Sequence, residues 1–467
     1  MPIIDIHFHS TLKPFGNSFT SGTKTDNVND VACIWYSDPP DIDDEVAENI
    51  LGFAAYRESD FSTLLNGNVS VGVVALYPVE TGFVHPEIFK PEAKELIKMV
   101  TLLGNDCIDF LRSPSYNYFE CLKREYNYLL SLDGKVPIQG DQKYALVRSG
   151  PDLIAKNNAS LKVIVSIEGA HVFCEGHDVK DALAWSNLQA TVAQVKQWKY
   201  PPFFITFCHH FYNSLASHAK SLFIDVLGKS LLNQSEGMDQ PLENGKYITQ
   251  RGYQLIDLLY SPDNGKRILI DIKHMAKGSR KEFYDYHRMK YPSVPIIFSH
   301  GASTAFYNEN ININSDDIIE IFHSNGLIGI ELDQRILGYN NQHKNNRFWN
   351  WLLDIFRSSA RKDFLWAEYF WKNILVVAET CYDLNPNDDP WKIICVGSDL
   401  DGIINPLNRY RRSDKLPNLA ASLLKYLNQY WASGKNKIPV NHKGITAQVV
   451  IDNILFKNAY DFIAHNY

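Results

Sequence analysis

Long apolar runs are missing from this 467-residue chain: no stretch reaches the roughly 18 apolar residues that a membrane-spanning helix requires. Cysteine is scarce as well. The seven present (Cys33, Cys107, Cys121, Cys174, Cys208, Cys381, Cys395) are scattered, odd in number and free of CxxC pairs. A disulfide framework and zinc-finger spacing are therefore both excluded, and the residues read as reduced, packed thiols. No Gly-rich phosphate loop follows a strand and no Gly-x-Ser-x-Gly elbow occurs, which sets aside two common catalytic scaffolds. The net charge is −7, from 46 basic against 53 acidic side chains, and no Lys/Arg-rich stripe offsets it. Nucleic acid and anionic membrane surfaces are thus not expected partners. The short basic cluster Arg409, Arg411, Arg412 reads as a solvated loop rather than an anion site. Internal repeats, low-complexity tracts and breaks in composition are also lacking.

What is present is ordinary for a soluble globular protein, with 45% hydrophobic and 21% charged residues. The opening segment MPIIDIHFHS has no basic region before its short apolar run, so it reads as a strand and not an export signal. A cytoplasmic protein is expected, and a homodimer is compatible with the sequence. Short β-rich apolar runs recur at Ile3–Phe8, Val69–Leu76, Leu161–Ile167, Phe203–Phe207, Arg267–Ile272, Val294–Phe298, Leu327–Leu332 and Ile393–Val396. Runs this apolar suit strands buried on both faces. Amphipathic stretches lie between them, at Asp178–Trp198, Gln250–Leu259, Ser279–Met289 and Ser315–Ser324. Eight strand–helix alternations predict a (β/α)8 TIM barrel. The expectation is one barrel domain over 1–467, with insertions near 10–68, 78–160 and 340–390. A long helical stretch is predicted at Pro91–Leu132 and an aromatic-rich helical one at Lys344–Tyr382. Insertions at βα connections are expected to cap a substrate pocket.

The ends of six runs carry metal-ligand residue types. The first ends His7-Phe8-His9, an i, i+2 pair that points both imidazoles to one side of an extended chain. The third ends at Glu168, the fourth at Cys208-His209-His210, and the fifth at Asp271-Ile272-Lys273-His274. The sixth ends Ser299-His300 and the eighth Ser398-Asp399-Leu400-Asp401. Each alone is weak, but in a barrel these ends meet at one mouth. Imidazole and carboxylate suit zinc or a similar divalent ion. Four histidines with a glutamate exceed the usual three protein ligands of one catalytic ion, so two ions sharing the carboxylate, about 3.5–4 Å apart, fit better. Asp399 is placed for acid/base work.

With these motifs in this order, the chain resembles the renal (membrane) dipeptidase family, peptidase M19, of the metal-dependent amidohydrolase superfamily. The matching pieces are Asp5-Ile6-His7-Phe8-His9, Ser166-Ile167-Glu168-Gly169-Ala170-His171, Asp271-Ile272-Lys273-His274, Pro295 to His300, and Gly397-Ser398-Asp399-Leu400-Asp401-Gly402. The segment Ile445–Phe462 is similar to the family's closing helical region. The resemblance implies that His7 and His9 bind one ion, that Glu168 bridges two, and that His274 and His300 bind the second. It implies that His209 contacts substrate and stabilises the oxyanion, and that Asp399 handles the proton. The implied reaction is attack of a hydroxide shared by two zinc-type ions on a small peptide or amide carbonyl.

Two departures stand out. The family's first motif is His-x-Asp, whereas this chain has His-x-His. The family arginine that holds a dipeptide carboxylate has no counterpart in Ala302–Asn312, and Arg335, beyond the seventh run, is the nearest basic candidate to replace it. Other readings therefore stay open. The same site serves a lactone, cyclic amide or other ester; a mononuclear deaminase would keep most of these residues; and an inactive barrel would bind a ligand or partner without turnover. Asp5, His171 and Asp401 read as supporting residues, with His210 and His218 as loop or pocket residues.

Overall fold

The computed structural model describes residues 1–41, 44, 56–84, 102–156, 159–221, 225–226, 229–230, 245–339 and 357–467. Eight parallel strands are present: β1 (Ile3–Phe8), β2 (Val69–Leu76), β3 (Leu161–Glu168), β4 (Phe204–Thr206), β5 (Leu269–Asp271), β6 (Ile297–Phe298), β7 (Leu327–Ile330) and β8 (Ile394–Val396). Each pairs with the next in chain order, from Ile4 beside Val71 round to Gly329 beside Cys395. The last pairs with the first, Val396 beside Asp5, which closes the sheet into a barrel. All six residues of β1 and most of those in β2 and β3 are buried, as expected of Val/Ile-rich strands covered on both faces. A short strand unforeseen in the sequence, Tyr144–Leu146, pairs with the first half of β3 before β4 joins its second half.

Helices alternate with the strands. Gln250–Tyr260 is capped by the Thr249 hydroxyl, and Ser315–His323 by a reciprocal Asn314–Asp317 capping box. Where the sequence suggested helix from Asp178, regular α-helix begins only at Leu188. The Asp178 and Asp181 carboxylates accept from the backbone N–H of Lys180 and Leu183, and these local turns compete with helix. In the predicted stretch Pro91–Leu132, residues 91–101 lie outside the described part. The remainder is two helices, Asn105–Arg112 and Tyr118–Ser131, because Pro114 and the preceding Ser113 break the helical path. Of Lys344–Tyr382, residues 344–356 also lie outside the described part; beyond them run Ser359–Trp366 and Glu368–Leu384. The closing segment is Ala447–Asp452, a π turn at Asn453–Lys457, and Asn458–Asn466. Its Asn458 amide donates to Trp391 and Ile394 O, and the Tyr467 hydroxyl to Val147 and Pro201 O, anchoring it at the entry ends of β8 and β4.

Among the described residues no helix is long and apolar enough to cross a membrane. All seven cysteines are free and buried. The basic cluster departs from the solvated-loop reading, since Arg411 and Arg412 are buried. Arg412 donates to Ser37 Oγ at 2.9 Å and to Thr63 Oγ1, and Arg409 pairs with Asp363 at 2.6 Å. These guanidiniums are spent tying loops together.

Candidate metal centre

The exit ends of six strands bring His7, His9, Glu168, His209, His274, His300 and Asp399 together, every one of them at most 7% exposed. Glu168, the last residue of β3, is at the middle. Its Oε2 is 2.8 Å from His9 Nε2 and 3.3 Å from His209 Nε2. Its Oε1 is 3.5 Å from Nε2 of each of His7, His274 and His300. Asp399 Oδ1 is 3.5 Å from His7 and 3.3 Å from His9, and its Oδ2 is 4.0 Å from His300. Of four ligand-capable groups among the described residues, two, His7–His9–Glu168–Asp399 and Glu168–His274–His300, share Glu168; the others are His209–His210–His274 and His300–Glu331–Asp399.

Local backbone aims these groups. The chain turns through left-handed conformations at His274 (φ 65°) and Asp399 (φ 59°), which swing the two side chains off their strand directions and over the mouth. Asp5 on β1 accepts from the Ser398 N–H and hydroxyl and so locks β1 to β8 beside Asp399. Asp271 accepts from Thr206 Oγ1 and Ser299 Oγ, both at 2.6 Å, tying β4, β5 and β6. Asp401 ties the loop after β8 to Lys13 Nζ at 2.7 Å and to the Ser59 hydroxyl at 2.8 Å, a clasp and not an orienter of histidine. His171 bonds the Pro78 carbonyl at 2.8 Å and faces Tyr77 and Tyr118. His218 is buried with neither ring nitrogen hydrogen-bonded.

The electrostatics divide the histidines. Burial pulls His7 and His9 down, but Glu168 and Asp399 outweigh it and carry them up to about 10 and about 9. Burial takes His274 down to about 3, with Glu168 opposing and His209 assisting. Burial also takes His300 well below its ordinary range, with His7 and Lys273 assisting. Glu168 stays well below the usual carboxylate range against burial, because His209, His7 and His9 surround it. One side of the mouth therefore calls for positive charge, and the other presents neutral imidazoles. His7, His9 and His274 meet Glu168 at 2.8–3.5 Å without regular hydrogen-bond geometry at either nitrogen. Buried imidazoles so placed around carboxylates are a donor set suited to divalent cations of the zinc type.

Several functional-site residues were not legible as such. Glu80, beyond β2, is buried: its Oε2 is 2.8 Å from His209 Nδ1 and accepts from the Tyr77 hydroxyl at 3.0 Å, and its Oε1 accepts from Phe211 N. Burial pushes Glu80 up, but His209 brings it down to about 2. Glu331, just past β7, pairs with Lys273 at 3.1 Å inside the mouth, and burial lifts it to about 8 although Lys273 opposes this. Tyr77 packs its ring against His9 and His209. Arg335 does line the recess over the centre, but Asp333 holds its guanidinium through Nε at 2.8 Å and Nη2 at 2.6 Å.

No family model and no curated protein matches this chain. Solved structures do. A dipeptidase described as a metallopeptidase of family M19 aligns over 100% of this chain and 99% of its own, at 13% identity and a TM-score of 0.51. A metallopeptidase from Rhodobacter sphaeroides, solved with a phosphinate mimic of the dipeptide L-Ala-D-Ala, covers 100% and 99% at 12% identity and 0.51. An amidohydrolase from Pseudomonas aeruginosa covers 87% and 92% at 12% identity, with a TM-score of 0.47. The shared feature is the fold. This chain has the barrel fold of the two metallopeptidases.

Proposed function

We propose that this chain is a hydrolase of small peptide or amide bonds that works with two divalent ions, zinc by the chemistry of its donors. The observation that carries the reading is the pair of buried ligand groups joined at Glu168. His7 and His9 would hold one ion, His274 and His300 the other, with Glu168 between them. Ions in such a site supply Lewis acidity and a nucleophilic water at neutral pH. The protein's own groups do the rest. Asp399, within reach of both halves of the site, takes the proton of the attacking water and passes it to the leaving amine. His209, oriented through Nδ1 by Glu80, donates from Nε2 to the developing oxyanion. The recess lined by His210, His274, His300, Glu331 and Asp399 suits a small-molecule substrate. A single-ion deaminase has less support, because it leaves Glu168 without a reason to stand among five histidines.

Metal content per chain, on protein purified without chelators, tests this. Near two equivalents of zinc are expected, with at least one lost in Glu168→Ala, and turnover within a panel of dipeptides, N-acyl amino acids and lactones. An absence of bound metal after zinc is added would remove the hydrolase reading. One equivalent indifferent to Glu168→Ala would move the assignment to a single-ion site.

A further inference from the structure

Three imidazoles on one side of the centre form a group that amide cleavage does not call for. His209 and His210 follow β4 in tandem, and their ring centroids are 3.8 Å apart. Neighbours on an extended strand would point to opposite faces. Here the chain has already left β4, so both rings turn to the mouth, and His210 faces His274 with centroids 5.4 Å apart. Each tandem histidine has its Nδ1 held by an oxygen: His209 by Glu80 Oε2 at 2.8 Å, His210 by Ser221 Oγ at 2.7 Å. Metal-bound histidines are held in this way, one nitrogen engaged by an oxygen partner and the other left for the ion. Buried His274 meets Glu168 at 3.5 Å without regular hydrogen-bond geometry at either nitrogen. One nitrogen from each of the three lies within 4.8 Å of the others, and all three residues are buried. Three imidazole nitrogen donors suit zinc better than oxygen-seeking ions such as magnesium.

We propose that His209, His210 and His274 form an alternative position for the second divalent ion, away from the Glu168 bridge. This rests on the two-ion reading above. His274 belongs to both groups, so one ion occupies either the bridged position with Glu168 and His300 or the tri-histidine position. In the second case His209 gives up to solvent the Nε2 proton that the oxyanion role requires, that nitrogen holds the ion instead, and the protein is metal-loaded but unproductive. The tri-histidine group is thus a resting position that keeps zinc bound while the bridge is open.

The test removes His300, which belongs to the bridged position and not to the tri-histidine one. Zinc equivalents are measured after dialysis in the wild type, His210→Gln, His300→Ala and the double variant. Near two are expected in the first three, because in His300→Ala the second ion moves to the three remaining imidazoles. Near one is expected in the double variant. His210→Asn is measured alongside, with a cooperative thermal transition required of each, so that misfolding at position 210 does not imitate a lost ligand. Cobalt(II) loading adds a spectroscopic readout: the visible bands of His300→Ala should change when His210 is also replaced. A double variant that holds as much zinc as His300→Ala, or a His300→Ala protein already down to one equivalent, overturns the resting position and leaves the bridged site standing. A wild type that holds fewer than two equivalents overturns both.

Discussion

At the scale of single residues, the proton on His300 can be followed. Ser299 has one hydroxyl hydrogen and gives it to Asp271 Oδ2 at 2.6 Å. Its oxygen is then an acceptor for His300 Nδ1 at 2.8 Å, which leaves Nε2 bare and facing Glu168. Ser299→Ala removes that orientation, and divalent-ion affinity should fall about 10–100-fold, measured by competition with a chelating dye. Gly402 sets a second constraint: a Cβ there would meet Asp399 Oδ1 at 2.1 Å. Gly402→Ala should therefore displace the Asp399 carboxylate and lower kcat about 100-fold on any substrate the panel reveals, with metal content unchanged. Retained kcat would show that Asp399 tolerates the shift and is not the proton carrier. The strand-end histidines were legible as candidates because six run ends carry ligand-type residues together, although each alone is weak. Glu80, Lys273 and Glu331 were not, since a lone carboxylate or ammonium in a loop is by default a solvated group, and only the fold shows them buried against His209 and each other.

At the scale of elements, all eight strands were legible because Val/Ile-rich runs are what a twice-covered parallel strand needs. Tyr144–Leu146 was not, being three residues in a polar neighbourhood that pairs only because β3 extends beyond β4. Helix starts were misjudged where side chains compete with the backbone, as at Asp178 and Asp181. Asp317 shows the opposite case, in which one carboxylate serves two helices. It completes the capping box of Ser315–His323, pairs with the buried Arg280 of Lys277–Lys290 at 2.9 Å and accepts from Tyr284 at 2.8 Å. Asp317→Ala takes away the Asp317 half of the capping box and the carboxylate partner of a buried guanidinium together. A loss of about 3–5 kcal/mol in urea unfolding is expected, and a loss under 1 kcal/mol would mean that the pair adds little beyond its own desolvation.

At the scale of the whole molecule, barrel closure was legible from the number and order of strands, but the lining of the mouth was not, because it depends on which loop residues turn inward. His218, read from the sequence only as a loop or pocket residue, is wholly buried. Its ring nitrogens have no hydrogen-bond partner, and burial holds it at about 4 against an ordinary 6.5, with Glu80 opposing and His209 assisting. The folded protein therefore binds this proton more weakly than the unfolded chain does. The resulting stabilisation is fully present above pH 6.5 and is lost as pH falls through about 4. Its size is on the order of 3 kcal/mol. Urea unfolding of the metal-free protein at a series of pH values should show a steeper fall in stability across that window in the wild type than in His218→Met, by up to one proton. The site histidines contribute the same slope to both proteins, so the difference isolates His218. Equal slopes would mean that His218 takes up its proton while the barrel stays folded, and that acid reaches this side of the mouth before the fold gives way.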